Sequence, residues 1–307
     1  MPYRALSSPK KLANLEEEVV ALAPHEKDRL VGVVTTDPVR LGLFPYSGNH
    51  KVIKVSLDEA HDLAVINKAV VVIRSGSELW ALLGVQHSHP KIEQVGRDIR
   101  ALHAHPGGGT AFSIGHDGQG AALELSGHEV GGRHFVLRGS VRAARLGFDR
   151  TYVVVQGDQG GQFREHPGST PESASLSKVD LPAAAAGFNR LAAGPALAAL
   201  SKRGAGQVCI VRRGSSSALE ASMIDVASVV DVAVIDTSLF VLQQSGSLLL
   251  FNQEALASPE PAATATANVG GTPTAMCTTT KGGARLWIGT REGDVMRIDA
   301  VKGGLEL

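Results

Sequence analysis

Two His-x-His pairs raise the first question of chemistry. His87 with His89, and His103 with His105, each place two imidazoles on one side of an extended strand, a spacing that can chelate a transition metal. Nine of the eleven histidines fall between His50 and His134, so the residue type is concentrated in one stretch of chain. A metal held there would support a hydrolase, a lyase or a small-ligand sensor. The competing reading is a set of solvated or hydrogen-bonded imidazoles. His87 and His89 precede one predicted strand while His103 and His105 leave another, so the pairs are not expected to share an ion. No metal site is favoured and no cofactor is expected.

A second group is basic. Arg97, Arg100, Arg142, Arg145 and Arg190 recur at related positions along the chain, and guanidinium forks suit a carboxylate, a phosphate or an acidic peptide. Arginines paired with nearby acids are the alternative. Two other runs carry less. HPGGGT (105–110) lacks the Lys-Ser/Thr ending and following helix of a phosphate loop, and GSSS (214–217) lacks the strand-to-helix elbow of a serine hydrolase.

Composition narrows the classes. Thirty Lys plus Arg balance thirty Asp plus Glu, so there is no electrostatic footprint for generic nucleic-acid binding or for an anionic lipid surface. Only Cys209 and Cys277 are present, too few for a disulfide framework. The N-terminal MPYRALSSPKKLANLEEEVV carries charges where a signal peptide needs an apolar run. No segment approaches the roughly 18 uninterrupted apolar residues of a membrane span. A cytoplasmic location without membrane insertion is the expectation.

The elements that must position these side chains repeat. Short strands occur as VVALA (19–23), DLAVI (62–66), IRALH (99–103), VRAAR (141–145), FNRLA (188–192), DVAVI (231–235) and PTAMC (273–277). Anchored at Ala21, Ala64, Ala101, Ala143, Arg190, Ala233 and Ala275, they are separated by 43, 37, 42, 47, 43 and 42 residues. After each comes a second strand, from LVGVV (30–34) to QVCIV (207–211) in the fifth unit and LWIGT (286–290) in the last, then a turn and a third strand. Weaker fourth strands are visible in VIKVSL (52–57), HFVLRG (134–139), LSKVDL (176–181) and IDVAS (224–228). Four antiparallel strands in units of this length, repeated seven times, predict an all-β single seven-bladed β-propeller. The expected blades are 16–57, 58–96, 97–139, 140–181, 182–228, 229–270 and 271–307.

Small anchors fit strands that converge on a central channel. Arg100 and Arg142 precede their anchors by one residue and Asn189 stands there in the fifth unit, which predicts a positive arc at the channel mouth. Residues 9–15 are expected to close the ring, with KLANL (11–15) beside VMRID (295–299) and GLEL (304–307) as the alternative. Residues 164–175 and 254–272 are expected as long loops where binding residues could gather.

The last unit, LWIGTREGDVMRID (286–299), resembles the propeller repeats of bacterial two-component sensor proteins, and the chain as a whole is similar to WD40-like propellers. The resemblance implies a propeller used for recognition, with no catalytic residues to carry over. The expected function is a non-enzymatic protein–protein interaction scaffold or adaptor, a subunit of a larger assembly that binds a protein or peptide. The alternative is a channel-mouth enzyme or ligand sensor.

Overall fold

The computed structural model describes residues 2–126, 129–136, 141–146, 149–157, 160–168, 176–214 and 217–303. These residues form seven antiparallel sheets, each built outward from an inner strand. The inner strands are Val19–His25, Asp62–Asn67, Ile99–Ala104, Val141–Leu146, Arg190–Ala193, Val229–Ile235 and Pro273–Thr279. Each touches the inner strand of the following blade, and the seventh touches the first. The chain is a seven-bladed propeller.

Burial explains which strands read clearly. A second strand such as Leu30–Thr35 is buried at every position because neighbouring blades cover both its faces, so its sequence is a continuous apolar run. Outer strands such as Ser177–Asp180 and Ala265–Asn268 alternate half-buried and exposed positions, and their composition is correspondingly mixed. The packing between blades rests on large side chains with almost no exposure, among them Ile73, Leu82, Phe112, Phe240 and Trp287. Trp287 donates its indole N–H to Thr279 Oγ1 within the seventh blade, 3.1 Å away. Both cysteines are free and buried.

Five inner strands slip register at the same place. Val19/Ala21, Ile99/Ala101, Val141/Ala143, Val229/Asp231 and Pro273/Ala275 each skip one residue against the second strand. The unpaired residues at these bulges are Val20, Arg100, Arg142, Val230 and Thr274. Bulges bend a strand and re-aim its side chains, which is what a strand entering a crowded ring axis requires.

The ring closes through the N-terminus. Lys10–Asn14 pairs with Asp294–Lys302, and Tyr3–Leu6 pairs with the same strand farther along. Asn14 Nδ2 donates to the Glu292 carbonyl at 2.8 Å, and the Leu15 N–H to the Gly293 carbonyl at 2.8 Å. GLEL (304–307) lies outside the described residues. At the opposite end of blades one and seven, the buried Glu26 carboxylate accepts the backbone N–H groups of Thr280 and Lys281 and the Tyr46 hydroxyl. Burial, with Glu26 next to it, holds the Tyr46 phenol above its ordinary range.

Several expectations need correcting. In the fifth blade QVCIV belongs to the third strand, Gln207–Arg213, and the second strand is the fully buried Leu197–Ser201. Its Ala-rich sequence has low intrinsic strand preference and is held extended by packing on both sides. The outer strand of the third blade is Glu129–Val136, earlier than expected, and residues 137–139 lie outside the described set. In the fifth blade the outer strand is Leu219–Asp225. The stretch 254–272 is more regular than expected. A short helix, Gln253–Ala257, starts from Asn252, whose side chain accepts the Ala255 N–H, and Ala265–Asn268 is the outer strand of the sixth blade. Of 164–175, the first four residues lie in the strand Gly160–Pro167, and 169–175 fall outside the described residues.

Candidate functional site

Each inner strand presents an unpaired edge to the axis, and that edge must be satisfied there. Two aspartates do part of this work. Asp62 Oδ2 in the second blade accepts the Leu102 N–H of the third at 3.2 Å. Asp231 Oδ2 in the sixth accepts the Met276 N–H of the seventh at 3.0 Å. Both carboxylates therefore tie one inner strand to the next. Both also hold an arginine, Arg74 Nε at 2.5 Å from Asp62 and Arg190 Nη1 at 3.3 Å from Asp231.

Around these ties the axis encloses a cavity of about 610 Å³. Arg74, Arg100, Arg142, Arg145 and Arg190 line it against only Asp62 and Asp231, a surplus of three positive charges. Four of the five arginines expected from the sequence are thus brought together. Arg97 is not among them. It is exposed, in the connection ahead of the third inner strand, with Nη2 donating to Gln94 Oε1 at 3.2 Å.

The bulges account for the placement of Arg100 and Arg142, each the unpaired residue of its inner strand. Arg100 Nε donates to the Gly115 carbonyl at 3.2 Å, but its Nη2 is buried with no hydrogen-bond partner among the described residues, as is Arg142 Nη1. Burial pulls the Arg100 and Arg145 guanidiniums below their ordinary value, offset at Arg145 by Asp231. Burial likewise pushes the Cys277 thiol up, out of reach of ionisation near neutral pH.

His103 lines the same cavity, and its Nε2 is a third buried nitrogen with no partner among the described residues. Burial lowers its pKa to about 4; Asp62 opposes the shift, while Arg145, Arg100 and Arg74 add to it. The imidazole is therefore neutral at pH 7. His105 lies just past the end of the inner strand, where its Nδ1 accepts the Gly107 N–H at 3.0 Å. His87 and His89 are exposed in the loop before Lys91–Gly96. Among the described residues no three His, Cys, Asp or Glu side chains are grouped as a metal would need.

The anchors divide. Ala21, Ala101 and Ala233 line the cavity, whereas Ala64, Ala143 and Ala275 are buried without lining it. Smallness at the anchor serves packing between blades as often as the axis. Sequence reasoning missed Arg74, which comes from a second strand, although the hairpin register sets it directly opposite Asp62. It also missed Arg203, in the turn before Gln207–Arg213, whose Nη2 donates to the Thr274 carbonyl of the seventh blade.

Among solved structures the chain is similar to Saccharomyces cerevisiae Sqt1, at 13% identity and a TM-score of 0.61 over 97% of this chain and 100% of that one. It is also similar to the Neurospora crassa Pan2 WD40 domain, at 10% identity and a TM-score of 0.67 over 99% of this chain and 98% of that one. At such identities the likeness is one of fold. No family model matches the sequence, and no curated protein matches it. Among the described residues no helix is long and apolar enough to cross a membrane.

Proposed function

We propose that the chain is a non-enzymatic interaction module, one component of a larger assembly, which receives an acidic group of a protein or peptide partner at the mouth of its channel. The observation that carries this reading is the surplus of guanidiniums over carboxylates among the described residues that line the channel. Arg74 and Arg190 have acidic partners, while Arg100 and Arg142 keep buried nitrogens without one among the described residues. Partner carboxylates or phosphates would form charge-assisted hydrogen bonds with such forks. A ring whose inner strands are tied blade to blade by Asp62 and Asp231 presents them with little loss of freedom on binding.

The test is affinity capture from the native host with the wild type and with Arg100→Glu/Arg142→Glu. The wild type should retain a specific partner that the double variant loses, at an unchanged melting temperature. An identical set of captured proteins would remove the channel mouth as the contact surface.

A further inference from the structure

We infer that the channel also takes a free small molecule, a multivalent oxyanion of the polyphosphate class, gripped at two levels along the axis by Arg100 and Arg142 and by Arg145. This rests on the reading of the channel as an anion receptor, but the ligand here sits inside the ring instead of being carried by a partner docked over its mouth. The charge balance comes first. Like charges gathered in one cavity repel one another, and five half-buried arginines against two aspartates leave three positive charges there. A ligand bearing about that many negative charges neutralises them; a single carboxylate does not.

Geometry comes second. Arg100 Nη2, Arg142 Nη1 and His103 Nε2 are buried nitrogens of side chains that line one cavity, and none has a hydrogen-bond partner among the described residues. Buried polar atoms are nearly always paired, so three orphans in one place point to a missing partner. Arg142, at the bulge, and Arg145 stand three residues apart on one inner strand, a backbone separation of at most roughly 10 Å at about 3.3 Å per residue. An orthophosphate is shorter than that span, whereas a short chain of phosphates can bridge it. The cavity, about 610 Å³, lies within the range of small-molecule sites. Guanidinium forks match phosphate oxygens two at a time, as they do carboxylates, so it is reach between the two levels that favours a chain of phosphates.

The experiment is titration calorimetry with the full chain and tripolyphosphate, orthophosphate or citrate at constant ionic strength, with a thermal melt for each. Tripolyphosphate should bind once per chain, raise the melting temperature and exceed orthophosphate at least ten-fold in affinity. Arg142→Gln and Arg145→Gln should each weaken it ten-fold or more, while Arg4→Gln, an exposed arginine far along the chain at Glu254, should leave it unchanged. Each channel variant removes an uncompensated charge, so without added anion it should melt no lower than the wild type. Absence of saturable binding, equal affinity for orthophosphate, tighter binding of citrate, or indifference to both channel variants would overturn the site. Partner capture that persists where tripolyphosphate fails to bind sinks this inference alone. Binding of tripolyphosphate with no partner lost in the double variant sinks only the interaction reading.

Discussion

His103 shows how the channel treats a titratable side chain. Its folded pKa of about 4 lies below the ordinary 6.5, so the native state resists a proton that the unfolded chain accepts. Above pH 6.5 both states are neutral and stability is unaffected by this group. As pH falls from 6.5 toward 4 stability is lost, by up to about 1.4 kcal/mol per pH unit. His103→Asn should flatten that decline in urea titrations run at several pH values, and an unchanged slope would assign the acid sensitivity to other groups. Residues of this kind were partly legible. Arg100, Arg142, Arg145 and Arg190 could be grouped from their positions in the repeat, because a residue's place in an inner strand fixes its distance along the axis. Arg97 shares their charge and neighbourhood, yet the register slip between Gln94 and Gly96 and the left-handed Asp98 turn it outward. Nothing in residue type signals that rotation.

Hairpins were legible wherever a buried run met a turn, since both-sided burial demands continuous apolar sequence. The strand Leu197–Ser201 was not, because alanines leave the choice of conformation to packing that only the assembled ring supplies. The loop 105–109 was legible as a hairpin connection, but its reach was hidden. Its Pro106 carbonyl accepts the Glu26 N–H of the first blade and its Gly109 N–H donates to Ile66 of the second. Gly108 adopts φ +76°, and a Cβ there would lie 1.8 Å from His25 Nε2, itself bonded to the Ile66 carbonyl. Gly108→Ala should therefore cost roughly 1–3 kcal/mol from the strained backbone alone, and more if His25 is displaced, read as a lower urea midpoint with the same slope. Full stability in that variant would show that the loop does not brace blades one to three.

The whole molecule depends on one seam. Six blades are each continuous in sequence, whereas the seventh is completed by Lys10–Asn14 and Tyr3–Leu6. A chain lacking residues 2–14 should expose the edge of Asp294–Lys302, unfold over a lower and broader temperature range in calorimetry, and be cut first by protease in the seventh blade. A sharp transition at the original midpoint would show that the ring does not need this closure. The period of about 42 residues made the ring legible, and the charged N-terminal strand that seals it was legible only as a candidate, since two segments could have filled the same place.

That seam also bears on the order of events in time. Most strand pairings join segments a few residues apart, but Asn14 meets Asp294 across 280 residues of chain. Bringing such distant segments together costs roughly 3–4 kcal/mol more loop entropy than closing a hairpin, at about 0.6 kcal/mol for each doubling of loop length. Contact order therefore predicts blades that form early and locally and a seventh that is finished last. Until then the unpaired strand of the seventh blade is the surface on which a nascent chain is most exposed to a stranger's strand.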